Sequence, residues 1–435
     1  MNKLLKMPAI ALIAGVAALA GAPAALAGAG ASAAASAAAP ITLRDVREAR
    51  EVRIVIDGAP GKYNDTAIRI NDRILLPFRE ILVKLGVRND DEHIAWNGAE
   101  QSVAAKTDSG DIKLFIGDKN MLKNGKPVAF DVAPYIYPVN SRTYVPVRAV
   151  AELMDKLVEW DGATSTVYIR DKANYEQALG VFAAQRAAAG QVKRYRAKTE
   201  GAMSLKVSSA DVEIPGAQSA EGLVIRQAVN TEAEADAERD IFHLTQSTSV
   251  LGLTVKTELY STKGRMFMKA PGAGSQAGGW SDITGDVLAG MADTLKGSLS
   301  AGHTFSGTEA ETLAMGFSVA PRAGGGYTIA GEFANSSEVG AMANIILDSL
   351  RLPKDGTDMS VKITRCSMEY VVDAGYMPIS AKTDVSFGMG ISFKGADGKS
   401  ALIEAVADYT LDMVYRDVNA NFALALPAEV AALAR

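Results

Sequence analysis

Residues 142–148 read RTYVPVR, and the same pattern stands 69 residues earlier, where residues 73–79 read RILLPFR. In each copy a short apolar run leads into a proline, Pro77 or Pro146. Proline suits the first turn of a helix because its missing N–H has no intrahelical partner there. The repeat therefore predicts that a strand leads into a helix in both copies.

The apolar face of each predicted helix has the same spacing. Apolar side chains stand at i, i+3, i+4 and i+7 in both copies, as Phe78, Ile81, Leu82 and Leu85, and as Val147, Val150, Ala151 and Met154. This spacing is typical of an amphipathic helix. Gly86 occupies a C-cap position after the first helix, whereas the second copy has Asp155 there. We therefore expect the second helix to end differently.

A tryptophan and a glycine follow each predicted helix. The first pair lies in the sequence WNGA and the second in WDGA. Asn-Gly and Asp-Gly favour two-residue hairpin loops in which both residues have positive φ. Each repeat is thus predicted as strand, helix and hairpin. The residues predicted to be structural in this duplicated scaffold are Pro77, Trp96, Gly98, Pro146, Trp160 and Gly162.

The second copy and its surroundings carry a family resemblance. Residues 124–153 read NGKPVAFDVAPYIYPVNSRTYVPVRAVAEL, and residues 158–169 read VEWDGATSTVYI. This order resembles the stalk-type copper amine oxidase N-terminal-like domain, which is common in exported proteins. We assign the resemblance to residues 42–171. It implies a small α+β fold that serves as an extracellular accessory or adhesion-like module, and it does not imply amine oxidation.

One tripeptide matches a catalytic motif of copper amine oxidases. Residues 174–176 read NYE, like the N-Y-D/E core in which those enzymes convert a tyrosine to topaquinone. That chemistry needs copper held by imidazoles, and the three histidines, His93, His243 and His303, are isolated in the sequence. The stretch NDDEH at 89–93 lacks the ligand spacing of an EF-hand and is interpreted as a solvated loop. We predict no catalytic, cofactor-binding or metal-binding residues.

The N-terminus predicts export. Lysines precede an apolar run that ends at Ala-Leu-Ala, so residues 1–27 are interpreted as a secretory signal peptide, with an uncleaved anchor as the alternative. Residues 28–41 are mostly Ala, Gly and Ser and predict a flexible spacer. No later run reaches the ~18 apolar residues that spanning requires. We expect a protein that does not span a membrane after cleavage and that is secreted or held in the extracellular cell envelope.

The charge limits the classes of partner that the chain can bind, and the cysteine content limits its covalent links. The net charge is −5 without a basic run, which argues against nucleic acid or anionic lipid as a charge-driven partner. Cys366 is the single cysteine, so no intramolecular disulfide can form. Folding must depend on the burial of apolar side chains.

Residues 174–435 predict a second, β-rich domain. An Ala-rich helix is followed by long alternating stretches such as 250–270, in which Leu251, Leu253 and Val255 share one face. Tight turns are predicted at 262–264 and 396–398, and helices over 285–299 and 336–350. These patterns predict a large, curved antiparallel sheet with helices against one face.

The second domain also carries a resemblance. It rests on the opening helix, the strand start at 194–197, Gly279-Trp280, and the ending YRDVNANFALALPAEV at 415–430. These features resemble an exported lipoprotein-like family whose sheet curls into a half barrel, similar to that of periplasmic lipoprotein carriers. The resemblance implies a concave side that can hold an acyl chain or another apolar ligand. Flexible methionines suit such a surface, although core filling is their more common role; the five singled out are Met203, Met266, Met268, Met368 and Met389.

Together these observations predict an α+β chain with a small N-terminal α+β module, followed by a half-barrel sheet packed with helices. The predicted function is that of an exported, noncatalytic cell-envelope protein. Its first module contacts the wall or an envelope protein, and its C-terminal half is a binding domain. The alternative is a soluble carrier or sensor of lipids or other apolar ligands, and a hydrolase with a glycosidase-like acid pair is a third reading. Arg79 and Arg148 are the candidate contact residues, with pairing to nearby acids as their alternative role.

Overall fold

The computed structural model describes residues 41–162, 164–210, 222–270, 279–284, 307–332, 357–394 and 400–435. The predicted helices over 285–299 and 336–350, the turn at 396–398 and the segment before residue 41 lie outside these residues. The described chain forms two compact units. The N-terminal unit contains the chain up to Ala178 together with Thr312–Ser318, and the C-terminal unit contains the described parts of Leu179–Glu311 and Val319–Arg435.

Short strands and two seven-residue helices build most of the N-terminal unit. After a 3-10 turn at Leu43–Asp45, the strands are β1 (Arg47–Glu48), β2 (Arg53–Ile56), β3 (Ala59–Pro60), β4 (Ile68–Ile70), β5 (Arg73–Pro77), β6 (Ile94–Asn97), β7 (Ser102–Thr107), β8 (Gly110–Phe115), β9 (Asn120–Lys123), β10 (Lys126–Ala129), β11 (Tyr135–Tyr137), β12 (Arg142–Pro146), β13 (Leu157–Asp161) and β14 (Thr166–Arg170). The helices are α1 (Phe78–Lys84) and α2 (Val147–Leu153).

These strands form three sheets among the described residues, in the orders β1-β4-β5-β12-β11, β10-β9-β8-β7-β6 and β13-β14-β2-β3. The two repeats are β5-α1-β6-β7 and β12-α2-β13-β14, so the predicted order of strand, helix and hairpin is confirmed. All eight side chains predicted on the helix faces are buried in one shared core. Each proline stands one residue earlier than predicted, as the last residue of its strand and the N-cap of its helix.

The two helices end in the same way, which corrects the expectation for Asp155. Gly86 and Asp155 both have positive φ, +100° and +57°. The N–H of Val87 donates to the carbonyl of Leu82 (3.0 Å), and the N–H of Lys156 donates to the carbonyl of Ala151 (2.9 Å). Both are Schellman closures. Aspartate tolerates the left-handed region better than most residues, so the second helix needs no glycine.

The hairpins after the helices differ from the prediction. Asn97 pairs with Ser102 and Asp161 with Thr166, so each loop has four residues. Positive φ falls on the last loop residue, Gln101 or Ser165, and not on the Asn-Gly or Asp-Gly pair. Asn97 Oδ1 instead accepts hydrogen bonds from the N–H groups of two loop residues at 3.0 and 3.2 Å. The asparagine therefore shapes the loop through its side chain.

The C-terminal unit is dominated by long strands. They are β15 (Arg194–Ala210), β16 (Val224–Asp236), β17 (Ile241–Val250), β18 (Leu253–Thr262), β19 (Arg265–Lys269), β20 (Ser281–Asp282), β21 (Phe317–Pro321), β22 (Tyr327–Glu332), β23 (Thr357–Val372), β24 (Pro378–Lys394) and β25 (Ser400–Arg416). The further helices of the chain are α3 (Lys172–Ala189), α4 (Gly307–Gly316) and α5 (Ala428–Leu433).

These strands form one antiparallel sheet in the order β20-β19-β18-β17-β16-β15-β25-β24-β23-β22-β21. The sheet curls into a half barrel and the chain is of the α+β class, as predicted. The predicted turn at Lys263-Gly264 is confirmed, because both residues have positive φ between the paired Thr262 and Arg265. Leu251 lies in a similar turn and not on a strand face, so the predicted face shared by Leu251, Leu253 and Val255 is wrong for Leu251.

Different helices pack against the two faces of the half barrel. We call the face that carries Thr199, Leu411 and Phe387 the inner face. Helix α3 reaches it where Gln185 Nε2 donates to Tyr370 Oη (3.2 Å). On the outer face, Val430 of α5 packs with the ring of Trp280.

Candidate functional site

The tryptophans of the repeat lie against their own loops. A Cβ added at Gly98 would come within 3.4 Å of Trp96 Nε1, and one added at Gly162 would come equally close to Trp160 Nε1. The rings keep 46% and 37% of their surface exposed. The guanidinium of Arg69 stands 5.8 Å from the Trp160 ring centroid. Each glycine thus leaves room for the adjacent indole edge.

The two candidate contact arginines have different surroundings. Arg79 donates to the carbonyl of Ile94 (2.8 Å), to Asp91 Oδ1 (3.0 Å) and to Asn89 Oδ1 (3.3 Å). Arg148 has Glu152 one helical turn away at 3.7 Å. Both side chains are about half exposed. Gly86 and Trp96 are ten positions apart, whereas Asp155 and Trp160 are five apart, so the first copy has a charged insertion at about 88–92 that the second copy lacks. This inserted stretch contacts Arg79.

The inserted stretch itself forms a hydrogen-bonded turn. His93 Nδ1 lies 2.6 Å from Asp90 Oδ1, and this hydrogen bond holds the pKa of Asp90 below its usual range. In the parts of the chain that the structure describes, no three His, Cys, Asp or Glu side chains converge as metal ligands would.

The tripeptide at 174–176 opens helix α3. Asn174 Nδ2 donates to Asp57 Oδ1 (3.2 Å), and Tyr175 packs beside Val55, Tyr168 and Met315. Through these contacts the tripeptide packs as a structural part of the N-terminal unit.

The carboxylates that the sequence offers for a glycosidase-like pair are Asp57 with Asp65 and Asp236 with Asp240, and each of them has a partner in the scaffold. Asp57 faces Arg170 at 3.8 Å, and Asp65 faces Arg142 at 2.8 Å. Asp236 is fully buried and accepts from Arg194 Nε (3.1 Å). Asp240 accepts the N–H of Lys263 (2.7 Å). Each carboxylate thus holds a turn or an arginine.

A histidine stands between two carboxylates on the outer face. His243 Nε2 lies 3.1 Å from Glu258 Oε1, and Nδ1 lies 3.4 Å from Glu234 Oε2. The imidazole stacks on the Tyr260 ring at 4.2 Å. Burial and the two glutamates raise the pKa of Tyr260 to about 12. Glu234 also accepts from Arg196 Nε (2.6 Å), so the cluster forms a cross-strand network of polar contacts.

The inner face carries a row of polar side chains. The strand register places Thr257, Gln246, Thr231 and Thr199 side by side on β18, β17, β16 and β15. All four are buried, Thr199 and Thr231 to 1% exposure. The hydroxyl oxygens of Thr199 and Thr231 have no hydrogen-bond partner among the described residues. Buried hydroxyls normally have partners, so this pair needs an explanation.

The other half of the inner face is mainly apolar. On β25 and β24 the row continues with Met413 and Ala381; the next inner-face positions are Leu411 and Thr383, and Phe387 lies farther along β24. The five methionines singled out in the sequence all have inner-face positions in the strand register. The inner face thus carries the threonine row on β15–β18 and mainly apolar and aromatic side chains on β23–β25.

Tyrosines complete the lining. Tyr195 and Tyr415 meet edge to face at 6.1 Å, and Tyr409 is the cross-strand neighbour of Met203. Burial raises the pKa of each of these three phenols, so they stay neutral at ordinary pH. The hydroxyls of Tyr409 and Tyr415 also lack a hydrogen-bond partner within the described residues. A neutral phenol can donate or accept one hydrogen bond to a bound molecule.

Sequence reasoning missed the threonine row. Its signal is a hydroxyl between two outward polar residues, in Lys198-Thr199-Glu200 and Asn230-Thr231-Glu232. Period-two alternation then places the threonine on the covered face. The threonines were overlooked because alternation was judged by apolar residues alone.

The fold and site define a two-unit α+β chain in which a duplicated module precedes a half barrel with a mixed polar and apolar inner face. Residues 55–169 match the family model of the copper amine oxidase N-terminal domain, which confirms the resemblance for this segment. The matching model describes the noncatalytic N-terminal domain of those enzymes. No curated protein matches the chain.

Two solved structures illustrate how distant the comparisons are. A β-barrel-like protein of a domain of unknown function, DUF1849, from Brucella abortus is 11% identical, with 51% of this chain and 98% of that chain covered and a TM-score of 0.17. The GH36 α-galactosidase AgaB from Geobacillus stearothermophilus is 8% identical, with 75% and 41% covered and a TM-score of 0.08. Both TM-scores are too low to support a conclusion about this chain.

Proposed function

We propose that this chain is an exported, noncatalytic binding protein of the cell envelope. Its C-terminal half barrel takes a small ligand with an apolar body on the inner face. The N-terminal unit is an accessory module that contacts the wall or an envelope protein. The matched family model describes a noncatalytic domain, which is compatible with this role.

The observation that carries the proposal is the pair of hydroxyls at Thr199 and Thr231. They are cross-strand neighbours, almost fully buried, and without a hydrogen-bond partner among the described residues. Leaving a hydroxyl unpaired in an apolar environment costs about 1–3 kcal/mol. A ligand whose polar group reaches these oxygens would remove that penalty. Its apolar part would lie against Leu411, Met413 and Phe387.

The experiment compares ligand binding with stability. In the double variant Thr199→Val, Thr231→Val, each unpaired hydroxyl is replaced by a methyl group of similar shape. We expect the empty protein to be as stable as wild type or more stable. Affinity for a fatty acid or fatty alcohol should fall roughly two- to tenfold per lost hydrogen bond.

The control is Thr245→Val, which removes a hydroxyl from the outward side of β17. It should leave fatty-acid binding unchanged. The measurement is a titration of delipidated protein, followed by thermal unfolding with and without ligand. Wild-type protein that neither binds a fatty acid nor gains thermal stability from one would contradict the proposal.

Wall contact through the module is the second function to test. Arg148 is half exposed and its nearest acid is 3.7 Å away, whereas Arg79 is held by three acceptors. We therefore expect Arg148→Ala to weaken sedimentation with purified peptidoglycan more than Arg79→Ala does. Unchanged sedimentation of the double variant would remove both residues from the proposed contact surface.

A further inference from the structure

The turn between β17 and β18 presents leucines to the surface. Leu251 and Gly252 form a two-residue loop between the paired Val250 and Leu253. Leu251 is 74% exposed and Leu253 is 71% exposed. Both loop residues have positive φ, +50° at Leu251 and +78° at Gly252. This hairpin tip, residues 250–253, therefore combines exposed apolar side chains with a strained backbone.

Leucine is an unfavourable choice for this turn. Four other two-residue hairpin loops with positive φ at both positions occur in the described residues, and each has a polar residue at the first position: Asp57, Asn71, Asn124 or Lys263. Aspartate and asparagine tolerate the left-handed region, whereas leucine gains nothing there. A residue that opposes the local fold and is not buried indicates a role outside folding.

The stretch of chain around the tip is uncharged. Residues 244–255 carry no charge. A groove of about 540 Å³ adjoins the tip, and its mixed lining combines apolar side chains, among them Leu251 and Met203, with polar ones such as Ser204, Gln227 and Thr410. Further exposed apolar side chains at the same end of the sheet are Leu223, Leu402 and Val406. Exposed apolar side chains concentrated at one end of a sheet are typical of a docking site for a partner or a membrane.

Cations adjoin this apolar end. Lys206, Arg226 and Lys256 are exposed on β15, β16 and β18, and Arg226 also lines the groove. One carboxylate, Asp408, lines the groove as well. Apolar residues at a tip, with cations set behind them, match the interface of an anionic bilayer, where acyl chains lie beneath phosphate groups.

We propose that residues 250–253 dock the half barrel onto an anionic lipid surface. Leu251 and Leu253 enter the interface, and the three cations contact the headgroup phosphates. Exposure along the inner side of β18 falls from Leu253 (71%) to Thr257 (7%), so the tip residues project beyond the covered part of this strand. The proposal extends the binding function but can fail independently of it.

The test uses the predicted mature chain, from Gly28 onward, and sedimentation with vesicles of equimolar phosphatidylcholine and phosphatidylglycerol. In the variant Leu251→Asn, Leu253→Thr, asparagine tolerates the left-handed turn and threonine favours a strand. The fold should therefore be retained or stabilised. We expect vesicle affinity to fall by at least about tenfold, as for the loss of one buried leucine side chain.

The matched control is Val139→Asn, which changes a side chain that is 68% exposed in the N-terminal unit. It should bind vesicles as wild type does. Binding should also weaken with added salt and on phosphatidylcholine vesicles. Equal binding by the tip variant and wild type would overturn the proposal. So would wild-type protein that binds fatty acid but not protein-free vesicles, a result that would leave the inner-face function standing and indicate a protein partner for the tip.

Discussion

Leu76 pairs directly with Val145 across antiparallel strands β5 and β12, and the two residues occupy the same position in the two copies of the repeat. On either side, Leu75 pairs with Pro146 and Pro77 with Tyr144. The copies are therefore related by a local two-fold axis through this pair. Both residues belong to the core that buries both helices.

The pairing predicts coupled effects of truncation. Leu76→Ala should lower the free energy of unfolding by about 2–5 kcal/mol, and Val145→Ala by less because fewer atoms are removed. The double variant should deviate from additivity by roughly 0.5 kcal/mol or more, since the two cavities adjoin. Urea unfolding of the three variants measures this. Strict additivity would mean that the two copies do not share a core at this point.

A second prediction separates the two helix ends. Gly86→Ala forces a Cβ into a backbone with φ of +100°, and should cost about 1–2 kcal/mol. Asp155→Gly relaxes the same position in the other copy but removes the ion pair with Lys123 (2.7 Å), so its net effect should stay within about 1 kcal/mol. Thermal unfolding compares them. Similar losses of stability in both variants would contradict the conclusion that the two helices end in the same Schellman closure.

The repeat shows how far the sequence predicts the N-terminal unit. Helical period and proline position were sufficient for strand, helix and hairpin, because burial of one face sets both features. Loop geometry was not predictable from Asn-Gly alone, since the side chain of Asn97 competes with the type I′ turn for the same N–H groups. Helix ends were misjudged for a related reason. The Schellman closure requires a positive φ at Asp155, and aspartate tolerates that backbone conformation.

The buried Arg170 carries a third prediction. Its Nε lies 3.8 Å from Asp57 Oδ1, Nη2 donates to the carbonyl of Asn174 (3.2 Å), and Nε and Nη1 lack hydrogen-bond partners among the described residues. Burial lowers the pKa of this guanidinium. Asp57→Asn keeps the oxygen that accepts the N–H of Asp171 but removes the charge. It should cost about 2 kcal/mol or more.

Replacing the arginine should have the opposite outcome. Arg170→Met should be close to neutral, because it removes a poorly paired buried charge. In the Arg170→Met background, Asp57→Asn should lose most of its effect. Denaturant unfolding of wild type, the two single variants and the double variant completes this double-mutant cycle. A larger loss from Arg170→Met than from Asp57→Asn would contradict this account.

A fourth prediction concerns pH. Lys156 Nζ donates to Asp171 Oδ2 (2.9 Å), and this bond holds the pKa of Asp171 below its usual range. A carboxyl group whose pKa is lowered by folding stabilises the fold at pH values above its pKa in the unfolded chain, about 3.9. That stabilisation is lost as the pH falls through its pKa in the folded protein. Asp171 is partly exposed, so the contribution is at most about 1 kcal/mol.

Lys156→Met isolates this contribution. The stability difference between wild type and variant should be present at neutral pH and should shrink below about pH 4. Urea unfolding at a series of pH values measures it. A difference that persists unchanged in acid would show that Lys156 acts through packing and not through Asp171.

The C-terminal sheet was predictable in outline and less so in its site. Alternation placed long antiparallel strands correctly because one face is covered along most of their length. The threonine row depends on register across four strands, which no single strand reveals. Leu251 was assigned to a strand face because its neighbours alternate. The structure places it in the turn, where an apolar side chain opposes the local preference.

The central claim is that the inner face of the half barrel binds a ligand with an apolar body. The most direct measurement is photo-crosslinking with a fatty acid that carries a diazirine, followed by peptide mapping. We expect adducts on inner-face residues of β15, β16 and β25, and loss of these adducts when unlabelled fatty acid competes. Adducts confined to the outer face or to the N-terminal unit, or labelling that competitor does not reduce, would contradict the claim.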